Sequence, residues 1–385
     1  MNRMLKLIFF CFGGVLLSSK LVSLESSLSL HNDYCDRQEQ YQSISQYLEK
    51  LSNEEISNLL SEGSALHSGY GTSLKLEINE TPIFVKKVPL NTLEGALENR
   101  KSTENLFQLP LYYQYGVGSA GFNVWREVSA HMISSNWVLS GKYQNFPLVY
   151  HWRVLDNSEE NTALNEEEWQ NYVEYWGNSR EVGERVRANH NAPSYVALFV
   201  EYYPMTVNQW LRTKLEEGFT AIDEAVEMLE RQLLESTAFM NANEMLHFDA
   251  HFHNILTDGE RIYFSDFGLT TSSEFSLSKE ELYFFQKHQN YDRCYVVAAL
   301  TNWIISRCFG KEQSEEVLNL YACGKSPLSE SEILSPYLSS LVKRYAPLTL
   351  RMNTFFQALK EESKETLYPE EELEDLWIEA THCLN

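Results

Sequence analysis

Apolar and polar residues alternate over Leu74-Lys75-Leu76-Glu77-Ile78, and a second strand-like run, Pro82-Ile83-Phe84-Val85-Lys86-Lys87-Val88, follows Asn79-Glu80. A period of two sends successive side chains to opposite faces, so the pattern predicts two strands, with Lys86 and Lys87 pointing opposite ways. Apolar runs from Phe146 to Val154 and from Tyr195 to Pro204 predict two more strands, the second buried and running into a turn. Helical spacing follows Trp125 to Ile133, where Trp125, Val128 and Met132 share a face. From Asp223 to Asn243 the stripe Val226, Leu229, Leu233, Thr237 and Met240 predicts a long amphipathic helix. Tyr295 to Cys308 is an apolar helix, and the chain from Glu315 onward is helical and acidic. Residues 89–122 form an irregular, aromatic-rich insertion expected to pack on the strand-bearing part, and residues 156–192 a polar helical insertion.

Ahead of the strands, residues 32–63 have helical spacing interrupted at Ser52-Asn53, and Asn53 before Glu54-Glu55 has the character of an N-cap. At the start, Arg3 and Lys6 precede an apolar run from Leu7 to Leu17, the pattern of a signal peptide or a short membrane anchor. No small-x-small cleavage site follows it, so an upstream extension of a cytoplasmic protein is the competing expectation. Association with a membrane through residues 7–17 is therefore one of the expected partnerships, and localisation stays open.

The chain has 385 residues, of which 43% are hydrophobic and 13% aromatic, enough for two domains with packed cores. Its net charge of −23 argues against nucleic acid as a partner, because such binding leans on cationic contacts to phosphate. The acidic excess gathers at Glu54-Glu55, Glu166 to Glu168, Glu280-Glu281 and Glu370 to Glu372, as on solvated helix faces. Six cysteines without a Cys-x-x-Cys pair point to neither a zinc site nor a disulfide scaffold.

The candidate chemistry lies between His247 and Gly268. His-Phe-Asp-Ala-His-Phe-His-Asn sets Asp249 five positions before Asn254, and Ser-Asp-Phe-Gly follows two short apolar runs later. Phosphoryl transfer needs a carboxylate to orient the attacking hydroxyl and oxygen ligands to hold magnesium on the phosphates of ATP. Asp249 suits the first task, and Asn254 with Asp266 the second.

These motifs, in this order, resemble the protein-kinase-like superfamily: the catalytic loop His-x-Asp-x-x-x-x-Asn and the metal-binding Asp-Phe-Gly. The resemblance spans roughly residues 63–310 and implies a two-lobed α+β fold. In it, a signal-like segment 1–24 and a helical extension 25–62 precede a small N-lobe 63–200 and a larger C-lobe 201–385. It implies ATP and Mg2+ as cofactors and a hydroxyl of a protein or small molecule as acceptor. Ile83-Phe84-Val85-Lys86 resembles the strand whose Lys holds the phosphates, so Lys86 takes that role. Glu127 is its expected ion-pair partner, with Glu104 as the substitute. Gly69 and Gly71 would cover the phosphates, although Leu74 stands where the family has a third glycine. Backbone groups near Glu201 to Tyr203 would hold adenine.

Two departures carry further expectations. Phe248 replaces an Arg that in many kinases binds a phosphorylated activation loop, and no Ala-Pro-Glu segment follows, so activation by loop phosphorylation is not expected. His251 resembles the Asp-x-His pattern of aminoglycoside- and choline-kinase-like enzymes and would contact the transferring phosphate. Asp292 would anchor the catalytic loop or cap the helix after it.

Other readings of the same residues exist. Asp, Asn and Gly are ordinary turn formers, and each motif alone is explained that way. An intact motif set without turnover would make a nucleotide-binding pseudokinase or interaction module. His247, Asp249, His251 and His253 at alternating positions would suit a His/Asp metallohydrolase, but in an order unlike that of metallo-β-lactamases, and no second cluster follows.

Overall fold

The computed structural model describes residues 35–66, 72–157, 163–328 and 330–382, so Gly69, Gly71 and the apolar run 7–17 lie outside the described residues. The chain forms two compact units, Met1–Ile56 and Ser57–Asn385. In the first, residues 35–50 are one helix. The next helix, Asn53–Ser61, is capped one residue earlier than expected. The Glu55 amide donates to Ser52 Oγ at 3.2 Å and the Ser52 amide to Glu55 Oε2 at 2.8 Å, the reciprocal bonding of a Ser with a Glu three residues on. No helix among the described residues is long and apolar enough to cross a membrane.

The larger unit is mixed α+β. Its main sheet contains β1 (Ser64–Leu66), β2 (Thr72–Ile78), β3 (Thr81–Leu90), β4 (Val149–Asp156) and β5 (Ser194–Glu201), all antiparallel in the order β1-β2-β3-β5-β4. Asn79 and Glu80, at φ 50° and 65°, make the turn between β2 and β3, the left-handed pair a two-residue hairpin requires. The alternation on β3 comes out as expected: Ile83 and Val85 are fully buried on one side. On the other, Phe84 and Val88 flank Lys86 and pack with Leu90, Val124, Trp125, Val128 and Leu198. Lys87 points the opposite way, over the Tyr195 ring.

The helix on that second face, Val124–Leu139, is longer than the spacing predicts and is capped by Asn123, whose Oδ1 accepts the Trp125 amide at 2.8 Å. Between β4 and β5 the insertion folds as two helices, Glu166–Tyr175 and Arg180–His190. Helices Val207–Glu217 and Phe219–Ala242 follow β5 and the short strand β6 (Met205–Thr206). The strand β7 (Met245–Leu246) leads into the candidate loop, and β8 (Ile255–Thr257) and β9 (Ile262–Phe264) follow it. A three-stranded sheet joins β6, β8 and β9, and β7 pairs with β10 (Thr271–Ser272). The acidic tail is not a bare polar surface: the helix Pro336–Glu361 buries Leu341, Val342, Tyr345, Leu348, Met352 and Phe355 and packs along the helix Tyr291–Cys308.

Candidate functional site

Three residues far apart in the chain meet at one ammonium group. Lys86 Nζ lies 2.7 Å from Glu127 Oε1 and 2.7 Å from Asp266 Oδ1. Lys86 is set by the pleat of β3, and Glu127 by the first turn of the helix packed on that face. Burial alone would pull the Lys86 ammonium down, but the Asp266 and Glu127 carboxylates outweigh it and hold the charge above its ordinary value. Burial opposes the charge on Asp266 too; Lys86 reverses this and holds the carboxyl down to about 2, so it is ionised at neutral pH. Burial pushes Glu127 up, with the Lys86 charge pulling the other way.

The loop that carries Asp249 is fixed from below. The amides of His247 and Phe248 donate to the Asp292 carboxylate at 2.6 and 2.9 Å, which shows Asp292 as the anchor of this loop. Phe248 adopts φ 63° and is fully buried against Phe284 and Tyr291. Burial lowers the His247 pKa to about 4, so its ring is neutral. Its Nε2 donates to the Ser265 carbonyl at 2.9 Å and its Nδ1 accepts the Asp249 amide at 3.3 Å. Both nitrogens are therefore spent inside the protein, which removes His247 from any metal cluster. The ring also packs on Phe267, which meets His131 edge-on with centroids 4.8 Å apart. Ring contacts through Phe267 thus join the Glu127 helix, Asp-Phe-Gly and the loop that carries Asp249.

Asn254 Nδ2 donates to both the main-chain oxygen and Oδ2 of Asp249 at 3.0 Å, so the side-chain oxygen of Asn254 takes no part in holding Asp249. Asp266, at φ 59°, brings its carboxylate to the same region, and the side chain is 44% exposed. One ionised carboxylate and one amide oxygen are hard donors that fit Mg2+. Burial first, and the Asp266 charge second, raise Asp249 to about 7, the range suited to accepting a proton near neutral pH. His251 Nδ1 accepts the His253 amide at 3.3 Å, so the proton sits on Nε2, 3.8 Å from Asp249 Oδ2.

Glu201 and Tyr203 stand apart from this constellation, at the end of β5. The Glu201 amide and carboxylate clasp the Leu148 main chain, at 2.8 Å to its carbonyl and 3.0 Å from its amide. Tyr203 stacks on Tyr263 of β9 with centroids 3.7 Å apart. Lys86, Glu127, Asp249, His251, Asn254 and Asp266 are brought together, while Gly69 and Gly71 fall outside the described residues. Glu104 is not the partner of Lys86: the helix turns Glu127 inward instead.

One residue at the site was not singled out from the sequence. Gly116 lies so close to Asp249 that a Cβ there would fall 2.2 Å from Oδ1. The irregular insertion 89–122 therefore packs on the loop that carries Asp249, beyond the sheet-bearing part expected for it. Its available signal is the run Tyr115-Gly116-Val117-Gly118, whose glycines mark a close approach of backbone to something else. Among the described residues no three His, Cys, Asp or Glu side chains converge as a metal-ligand group. No protein-family profile matches the chain, and no curated protein matches it in sequence.

Proposed function

We propose that the chain is an ATP-dependent phosphotransferase of the protein-kinase-like type, moving the γ-phosphoryl of Mg-ATP to a hydroxyl. The observation that carries this is the meeting of Lys86 with Glu127 and Asp266, 41 and 180 positions away, beside an Asp249–Asn254 hydrogen bond. A turn-forming role for each motif separately does not account for that convergence. In this reading the sheet-bearing part, residues 63–200, is the smaller lobe and residues 201–385 the larger, with adenine between them near Glu201 to Tyr203.

Each residue then has a task. Lys86, kept charged by two carboxylates, positions phosphate oxygens, and Glu127 keeps Lys86 in place. Asp266 and Asn254 would hold Mg2+, which when bound supplies charge neutralisation on the phosphates. Asp249 orients the acceptor hydroxyl and takes its proton. His251, with its proton on Nε2, faces the same space and would contact the transferring phosphate. The acceptor oxygen bonds to the γ-phosphorus as the bond to the β–γ bridging oxygen breaks, and ADP leaves.

Leu74, buried at 7% exposure where the family has its third glycine, favours a second reading as a nucleotide-binding pseudokinase. Transfer of labelled γ-phosphate by wild type and Asp249→Asn, with Mg-ATP binding by wild type and Asp266→Ala, separates the two. Turnover lost in Asp249→Asn supports the phosphotransferase; binding that requires Asp266 without turnover supports the pseudokinase. Absence of both refutes both readings.

A further inference from the structure

The insertion before the helix Val124–Leu139 runs over the catalytic loop and Asp-Phe-Gly. At Gly116 a Cβ would sit 2.2 Å from Asp249 Oδ1 and 3.4 Å from the Phe248 carbonyl oxygen. At Gly121, with φ 75°, it would sit 2.3 Å from the Gly268 carbonyl oxygen. Only a backbone without side chains passes that close, so both crossings require glycine.

The crossing segment is held, not loose. Tyr115 is 3% exposed, its hydroxyl meets His288 Nε2 at 2.6 Å, and its ring packs edge-on against Phe248 and Phe355. The Gln114 amide donates to the Leu269 carbonyl. From the other side, the helical insertion between β4 and β5 takes up the segment's own carbonyls. Tyr175 Oη donates to Val117 O at 2.7 Å and Tyr172 Oη to Gly118 O at 2.9 Å. Arg185, paired with the fully buried Glu94 at 3.2 Å, donates to Ala120 O at 3.1 Å. Lifting the segment would break all of these bonds and would strand the buried Tyr115 hydroxyl and Gln114 side-chain amide at a desolvation cost.

With Oδ1 beneath Gly116, the approach left to the Asp249 carboxylate is Oδ2, on the side of Asn254 and His251. A polypeptide acceptor extends on both sides of its hydroxyl, and one of those sides is already filled by this chain's own backbone. We infer that Tyr112–Gly121 is a fixed acceptor wall with Gly116 as its specificity-determining residue, admitting small hydroxylated molecules from the His251 side and excluding polypeptide chains. The inference rests on the phosphotransferase reading.

The test compares wild type, Gly116→Ala and the double variant Tyr172→Phe/Tyr175→Phe. Each is assayed for Mg-ATP binding by calorimetry and for transfer of labelled γ-phosphate to small alcohols, sugars and aminoglycosides, and to casein. All three are expected to bind Mg-ATP alike, and wild type to label a small acceptor and not casein. Gly116→Ala should lose roughly 10²-fold in transfer, because a methyl at that position forces the Asp249 carboxylate out of line. The double variant, which removes two hydroxyls without changing volume and so covers the case that Gly116→Ala does not fold, should transfer several-fold less. Labelling of casein by wild type, full transfer by Gly116→Ala, or faster turnover by the double variant would overturn the wall, the last making the segment an inhibitory plug. Transfer to neither acceptor class overturns it as well. Failure of wild type to bind Mg-ATP rejects the phosphotransferase reading itself, whereas binding with casein labelling keeps that reading and rejects only the wall.

Discussion

Lys86→Met tests the centre of the site most directly. The substitution keeps the length and apolar stem of the side chain and removes the charge that lies 2.7 Å from two carboxylates. The Glu127 side chain is 6% exposed, so its carboxylate is left inside the protein without its contacting cation; breaking a buried pair from one side costs about 3–5 kcal/mol. Asp266, 44% exposed and screened by water, adds less than about 1 kcal/mol. A loss near the lower end, about 3 kcal/mol, is expected at neutral pH. In wild type Lys86 holds Asp266 at about 2, so that group stabilises the fold above its unfolded pKa and stops doing so as pH falls through the folded value. In the variant Glu127, already raised by burial, rises further, and a raised carboxyl opposes folding increasingly as pH climbs above its unfolded pKa. Both effects widen the gap at neutrality and close it as pH drops below about 4. Urea unfolding followed by tryptophan fluorescence at both pH values reads the gap. A difference below about 1 kcal/mol at neutral pH, or an equal one in acid, would refute the reasoning.

Three further outcomes follow from the geometry. In the proposed phosphotransferase Asp249 would accept a proton only as the carboxylate, which burial pushes up to about 7, so kcat/KM should fall as pH is lowered through that value; a flat profile from acid to base would contradict it. Glu281→Ala leaves Arg126, 2% exposed and paired with it at 2.6 Å, as a lone buried charge, and should cost about 3–5 kcal/mol in urea unfolding; Arg126→Met/Glu281→Met should recover most of that. After Asp-Phe-Gly, Thr270, Thr271 and Ser272 are buried and Ser273 bonds the Glu244 carboxylate, so glutamate at Ser273 or Ser276 should not raise transfer, and a strong rise in turnover would show activation by loop phosphorylation.

The legible parts of this chain are those where the candidate site depends on local spacing. Alternation along β3 separates Lys86 from Lys87, and the pleat alone puts one of them over the Glu127 helix and the other over Tyr195. The five-residue interval from Asp249 to Asn254 is a property of one loop, and the hydrogen bond between them follows from it. Asp292, at the start of an apolar helix, left loop anchor and helix cap both open, and only the fold, which brings the His247 and Phe248 amides to its carboxylate, chooses the anchor. The N-cap was misplaced by one residue because Ser52 and Asn53 are both good caps, and only the reciprocal bond with Glu55 chooses Ser52.

The sequence by itself determined the strands around Lys86, the amphipathic helices and the order of Asp249, Asn254 and Asp266, since periods of 2 and 3.6 and fixed loop spacings act over a few residues. The tertiary structure alone decided the course of residues 110–121. An irregular segment has no period to declare a face; its route is set by the distant groups that satisfy its backbone, here Tyr172, Tyr175 and Arg185, and by the Gln114 side-chain amide, which reaches the Leu269 carbonyl. The backbone of Gly116 comes to lie on Asp249, 133 positions later in the chain by their numbers, because those partners hold it there.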